Sequence, residues 1–234
     1  MKGIKGKPAD WTYENFLGRQ EGIYIGGTDE VGRGSWGGNL CVCAAVFHPS
    51  AEVTFKKLRD SKKYTAADRE ELVELFTKNY INKGLLHVAY ADIDPVTIEN
   101  GNLNELNLLG FSRAFQELKK IARFDKIIID GGIKCGDDDF PWLDDSPGCL
   151  GTRVMTLVKA DEQSITVATA SIFAKVRHDR QMIELDKLYP AYGFASHVGY
   201  GTEAHREAIL KHGSIPGVHR SNFLRNLRKE GVLQ

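Results

Sequence analysis

The sequence has no apolar run near the ~18 residues that a membrane-spanning helix needs, so no membrane partner is expected. Its opening, MKGIKGKPADW, is basic but lacks the apolar core of a signal peptide, and a cytoplasmic location is expected. Only four cysteines occur in 234 residues, Cys41, Cys43, Cys135 and Cys149, too few for a disulfide framework; reduced thiols are expected. Zinc is not expected either. There is no H-E-x-x-H, and no second Cys/His pair lies near Cys135 and Cys149. Internal repeats and low-complexity tracts are absent. Net charge is zero, without the basic excess of many nucleic-acid binders. That balance is uneven, however: +3 over residues 1–69, −7 over 70–150 and +4 over 151–234. A phosphate-attracting patch built from the two ends is compatible with it.

What is present alternates strand and helix patterns. Gly22–Thr28 and Asn39–Phe47 read as strands, Leu85–Ala91, Lys126–Asp130 and Arg153–Val158 as three more. Thr65 is placed to cap a helix whose Leu72, Val73, Leu75 and Phe76 form its buried face. Leu103–Arg123 reads as a long amphipathic helix with Leu106, Leu109, Phe115 and Leu118 inward. Helices are also expected over Ser164–Leu188, Thr202–His212 and Asn222–Lys229. This order indicates an α/β fold, a mixed sheet flanked by helices. Gly131–Gly151, glycine-rich and strongly acidic, reads as a surface loop.

Gly32-Arg33-Gly34-Ser35-Trp36-Gly37 satisfies G-x-G-x-x-G, yet the context excludes a dinucleotide site. That fingerprint needs a helix directly after the glycines, and here a strand follows. Asp29-Glu30, just before them, would repel a pyrophosphate. Acids at the ends of buried strands point elsewhere. Such carboxylates pair or coordinate a cation, because burying them alone is costly. Asp130 ends the KIII strand and Asp161 follows RVMTLVKA, so four carboxylates are candidates to converge. Singly, each is more commonly a turn former or helix cap; Asp161 has the position of an N-cap. Together they can hold Mg²⁺ or Mn²⁺, two ions about 3.5–4 Å apart, for phosphodiester hydrolysis.

The segment YIGGTDEVGRGSWGG resembles the opening motif of the ribonuclease HII family. RDSKKYT, IIIDGG, KADEQSITVATASIFAKVRHDR, GFASHVGYGTEAH and VHRSNF are similar to further blocks of that family, in the same order. The resemblance implies an RNase H-like five-stranded mixed sheet flanked by helices, with a C-terminal helical extension. Residues 1–20 would be an N-terminal extension and 21–190 the catalytic core, with 131–151 inserted. Residues 191–234 would complete the substrate cleft. It implies a monomeric endoribonuclease acting on RNA–DNA hybrids and on single ribonucleotides embedded in duplex DNA. Cleavage would fall 5′ of the ribonucleotide, leaving 3′-hydroxyl and 5′-phosphate ends by a two-metal, in-line attack.

By the motif match, Asp29, Glu30, Asp130 and Asp161 are the catalytic and metal-binding carboxylates. Gly32, Arg33, Gly34 and Tyr200 correspond to the sensor of the RNA–DNA junction. Lys62, Lys63 and Ser164, with Lys175, are expected on backbone phosphates. Three departures bear on affinity: the long Gly131–Lys159 stretch, Val198 where the family commonly has lysine, and the neutral pI. The sister ribonuclease HIII class fits less well, since only about twenty residues precede the first strand and Arg33 is present. Two rivals come from other classes: an RNase H-fold DNA nuclease of the resolvase kind, and a non-catalytic hybrid-binding protein. The junction residues disfavour the first, and the full set of acids disfavours the second.

Overall fold

The computed structural model describes residues 8–53, 58, 61–131, 135–143 and 153–224. Five strands form one sheet: β1 Ile25–Val31, β2 Leu40–Phe47, β3 Leu86–Ile93, β4 Lys126–Asp130 and β5 Val154–Leu157. Their order is β3-β2-β1-β4-β5. β4 runs parallel to both β1 and β5, whereas the link Gly32–Asn39 between β1 and β2 is too short for a parallel crossover. The mixed sheet expected from the sequence is therefore present. All eight residues of β2 are buried, as are Ile127, Ile128 and Ile129 of β4. Such unbroken apolar runs suit strands covered on both faces.

The helices are α1 Thr12–Phe16, α2 Ala66–Asn79, α3 Pro95–Asn100, α4 Leu103–Lys119, α5 Ile165–Leu188, α6 Phe194–His197 and α7 Glu203–His212. Thr65 caps α2 in a reciprocal capping box with Asp68, and Thr202 caps α7 through the His205 N–H. In α2 only Phe76 of the four expected core positions is fully buried; Leu72, Val73 and Leu75 are half-buried. In α4 the buried face is Leu106, Phe111, Ala114, Phe115 and Leu118. Leu109 is exposed, a correction: at 100° per residue it falls on the far side of that face. The expected Asn222–Lys229 helix lies mainly outside the described residues.

The acidic stretch after β4 is also not a plain surface loop. Its described part, 135–143, turns through Asp137–Asp139 and buries Phe140 and Leu143. Phe140 meets Phe115 edge-on, while the Trp142 indole N–H donates to Ser112 Oγ at 2.9 Å. Asp137 accepts from the Arg153 and Val154 N–H groups at 3.1 and 2.9 Å, so its charge fastens the start of β5.

The chain falls into two compact units that interleave in sequence. The first takes Met1–Asp29, Val42–Ala91 and Phe111–Val176, the second Glu30–Cys41, Asp92–Gly110 and Arg177–Gln234. Leu17, Ile25, Ile128, Ala160 and Val167 form a core in the first. Met182, Tyr192, Phe194, Ile209 and Leu224 form one in the second.

Candidate active site

The register of β1 and β4 places the first two acids. Thr28 pairs with Ile129, so the next residues, Asp29 and Asp130, stand side by side at the carboxyl ends of parallel strands. Asp161 comes from the other flank of β4. After β5 the chain turns sharply through Lys159, a non-glycine residue in the left-handed region (φ 59°, ψ 44°). That conformation carries strain of order 1–3 kcal/mol and needs outside support. The support is visible: the next N–H, of Ala160, donates to Asp130 Oδ1 at 2.6 Å. Asp161 follows in the short 3-10 turn Ala160–Glu162.

Carboxylate oxygens of Asp29, Asp130 and Asp161 thereby lie within 4.8 Å of one another. Asp29 and Asp161 are buried, and Asp130 is half-buried. Burial pushes the Asp130 carboxyl above the ordinary carboxylate range. The Ala160 and Gly131 N–H groups, the Lys62 charge and a hydrogen bond with Asp29 pull the other way. Three carboxylates this close cannot all stay ionised unless a cation sits among them; without one, they share a proton. An all-oxygen set of this kind fits a hard divalent cation, Mg²⁺ or Mn²⁺, rather than zinc or copper. Glu30 is outside this trio. It follows Asp29 along β1, where successive side chains alternate faces.

The lysine block is braced in the same unit. Ser61–Lys63 forms a short 3-10 turn, held by the Arg69 guanidinium on the Ser61 and Tyr64 carbonyls at 3.1 and 2.7 Å. The Ser171 hydroxyl donates to Ser61 Oγ at 3.0 Å. Lys62 is exposed and its charge acts on Asp130, while Lys63 pairs with Glu162 at 3.2 Å. Ser164 does not reach solvent. It is fully buried, donating to Glu14 and accepting from the Val167 N–H, so its place is the start of α5, which corrects the expectation of a phosphate contact.

The second unit assembles the other group of expected residues. Gly32 has φ +89°, and a Cβ there would sit 2.6 Å from the Asn39 carbonyl and 2.8 Å from His178 Nε2, so only glycine fits. Arg33 is half-buried, with its guanidinium on Asn104 Oδ1. The Trp36 N–H donates to the Gly199 carbonyl at 2.8 Å, tying the Gly32–Asn39 link to the turn that carries Tyr200. Gly201 lies flat against the Trp36 ring, where a Cβ would come within 2.1 Å. Tyr200 keeps 36% of its surface exposed. Val198 adopts φ 44°, an outlier for a β-branched residue.

Sequence reasoning missed what holds this link. Arg220 is fully buried and donates to the Gly38 carbonyl at 3.0 and 2.7 Å and to the Gly32 carbonyl at 2.6 Å. Beside it, His219 Nδ1 accepts the Ile215 N–H at 2.7 Å. The bonds at both ends of the pair fix the tautomers: His219 Nε2–H then donates to His205 Nε2 at 3.1 Å, and His205 Nδ1–H to the Tyr200 carbonyl at 2.9 Å. The VHRSNF block was the available signal. A buried arginine and an exposed one look alike in sequence, which is why its role was not legible.

Known proteins resemble the chain over most of its length. A family model described as Ribonuclease HII matches residues 26–226. The Ribonuclease HII of Clostridioides difficile (strain 630) is 36% identical over 205 residues, 88% of this chain and 71% of that protein. The ribonuclease H2 structure from Pyrococcus horikoshii OT3 superposes with a TM-score of 0.68 at 24% identity, covering 89% of this chain and 98% of the other. Bst-RNase HIII in complex with Mn²⁺ gives a TM-score of 0.69 at 20% identity, covering 100% and 77%. At those identities the two structures speak for the RNase H-like fold alone. On the family match and the curated relatives, the chain belongs to the ribonuclease HII family, a metal-dependent family, and is a ribonuclease H, an endoribonuclease of the hydrolase class.

Proposed function

We propose that this chain cuts the RNA strand of RNA–DNA hybrids and also cuts 5′ of single ribonucleotides embedded in duplex DNA. The observation that carries the chemistry is the Asp29–Asp130–Asp161 trio at adjoining strand ends. Asp29, together with Asp130 and Asp161, would hold two divalent cations, Mg²⁺ or Mn²⁺. Glu30 is the fourth carboxylate on the motif match. When bound, the ions supply the Lewis acidity that activates the attacking water and stabilises the departing 3′-oxygen. Water oxygen bonds to phosphorus as the phosphorus–O3′ bond breaks in line, leaving a 3′-hydroxyl and a 5′-phosphate.

The chain's own residues supply binding and selection. Lys62 and Lys63 serve as point charges for backbone phosphates. Gly32, Arg33 and Gly34 present backbone groups, and small glycines allow close approach to a ribose 2′-hydroxyl, which both donates and accepts. The half-exposed Tyr200 ring offers a face for the neighbouring deoxyribose. The braced Gly32–Asn39 link supports this reading, because sensing one hydroxyl needs a backbone that does not yield.

The test is cleavage of a labelled DNA duplex bearing one ribonucleotide, in Mg²⁺, Mn²⁺ or EDTA. A metal-dependent cut 5′ of the ribonucleotide is expected. Cutting of long hybrids without it would retain the nuclease and discard the junction sensor.

A further inference from the structure

The first N–H groups of a helix have no partners within it. At the start of α5, just after Asp161, two of those partners come from the far N-terminal part of the same unit. The Ile165 N–H donates to the Asp10 carbonyl at 3.3 Å, and the Thr166 N–H to Glu14 Oε1 at 2.9 Å. The Val167 N–H donates to the Ser164 hydroxyl at 3.1 Å, and that hydroxyl donates to the same Glu14 oxygen at 2.6 Å. The segment also reaches the turn itself. The Asp10 N–H donates to the Gln163 carbonyl at 3.4 Å, and the Tyr13 hydroxyl to Gln163 Oε1 at 3.1 Å. Gln163 Nε2 in turn donates to the carbonyls of Val158 and Lys159 at 2.8 and 3.1 Å, bracing the left-handed residue that swings Asp161 into place.

Beneath this first turn of α5 lies Gly27 of β1, where a Cβ would come within 2.8 Å of the Val167 nitrogen. Helix start and strand are therefore in backbone contact two residues before Asp29, and a shift of one moves Asp161 against the other. Glu14 is fully buried, and its second oxygen, Oε2, has no partner among the described residues. Burial raises its carboxyl above the ordinary range, which favours the neutral acid with one accepting oxygen. Glu14 and its neighbours lie outside the matched family region, which begins at residue 26.

We propose that the segment Ala9–Leu17, acting through Glu14, is a positioning element that sets Asp161 against Asp29 and Asp130 and thereby sets the affinity of the site for divalent cations. The proposal rests on Asp161 being a cation ligand, as in the function proposed for the trio.

The test is Mn²⁺ binding to the full chain without substrate, followed by the electron paramagnetic resonance of free Mn²⁺, beside thermal unfolding. Glu14→Ala is expected to weaken Mn²⁺ binding about tenfold at temperatures where it stays folded, the usual scale for losing a support of a metal ligand. The Mn²⁺ concentration giving half-maximal cleavage should rise in parallel. Glu14→Gln keeps an acceptor for Ser164 and Thr166 and is expected within about twofold of the parent, since the hydrogen-bond set is conserved. A Glu14→Ala protein that melts earlier but binds Mn²⁺ as the parent does would overturn the proposal. If that variant does not fold, Ser164→Ala carries the test: weakened binding supports the positioning role, unchanged binding refutes it. Asp161→Asn separates the two claims. Parent-like Mn²⁺ binding there would sink the ligand assignment itself, whereas lost binding there with normal binding in Glu14→Ala would sink only the positioning role.

Discussion

In one unit three carboxylates crowd together at strand ends; in the other a single guanidinium lies buried among backbone carbonyls. The first arrangement concentrates negative charge within a few ångströms, which is what a cation-binding centre requires. The second neutralises its own polar groups, with Arg220 serving Gly32 and Gly38 and two neutral imidazoles serving Tyr200. On the function proposed above, one unit is completed by the cations it would bind, the other by what it already holds. In the proposed function, chemistry and selection place different demands on burial. A reacting centre keeps frustrated charge, and a reading surface is satisfied internally so that its backbone stays fixed.

The comparison breaks most visibly at the acids. Asp29→Asn is expected to lower turnover by about a thousandfold or more while leaving hybrid binding within a few-fold, because metal-assisted charge stabilisation is the dominant contribution. Single-turnover cleavage and a binding isotherm on the same hybrid check this, and parent-like turnover would refute the assignment. Next comes Arg220→Met, which strips the Gly32 and Gly38 carbonyls of their donor. A loss of about 3–5 kcal/mol of stability is expected, the scale for removing one member of a buried charged network. Denaturant unfolding reads it; near-normal stability would show that water takes over those carbonyls.

Tyr200→Ala should sharpen the contrast without unfolding anything. Cleavage at a single embedded ribonucleotide is expected to fall about tenfold further than cleavage of a long hybrid, in line with the stacking a ring provides. Equal losses on both substrates would remove Tyr200 from junction sensing. The smallest effect concerns acid. Burial holds His205 and His219 at about 4, below the 6.5 of an exposed imidazole. The unfolded chain therefore binds more protons between pH 6.5 and 4, so stability is intact above that window and falls as pH drops through it. By about pH 6 the loss is roughly 1 kcal/mol per imidazole, from integrating that proton difference. Melting temperature against pH should show the slope, and His219→Gln should flatten it.

Much of this was legible in the sequence. Lys126–Asp130 stood out because a fully apolar strand ending in an acid has few other readings, and Thr65 announced α2 by its capping pattern. Asp29, Asp130 and Asp161 each sit at the end of a readable strand or just beyond one. What stayed hidden depends on partners far away along the chain. Ser164 looked like a phosphate contact because a serine's burial is set by Glu14, 150 residues earlier. Leu109 looked inward because the boundary of a helical face is decided by what packs on it. Phe140 and Trp142 sat in a stretch whose composition argues for solvent, and the aromatic packing on Phe115 overrides it.

These separations have a consequence in time. Glu14 waits for Ser164, 150 residues on, and the Gly32 carbonyl waits for Arg220, 188 residues on. A ribosome adds roughly 5–20 residues per second, so the earlier partner of each pair is made well before the later one exists. The nascent chain therefore cannot seat Asp161 until Ser164 has been made, nor brace its glycine link until Arg220 has. Folding that waits on such long-range contacts is slow, and the end of β1 is made well before the groups that fix it.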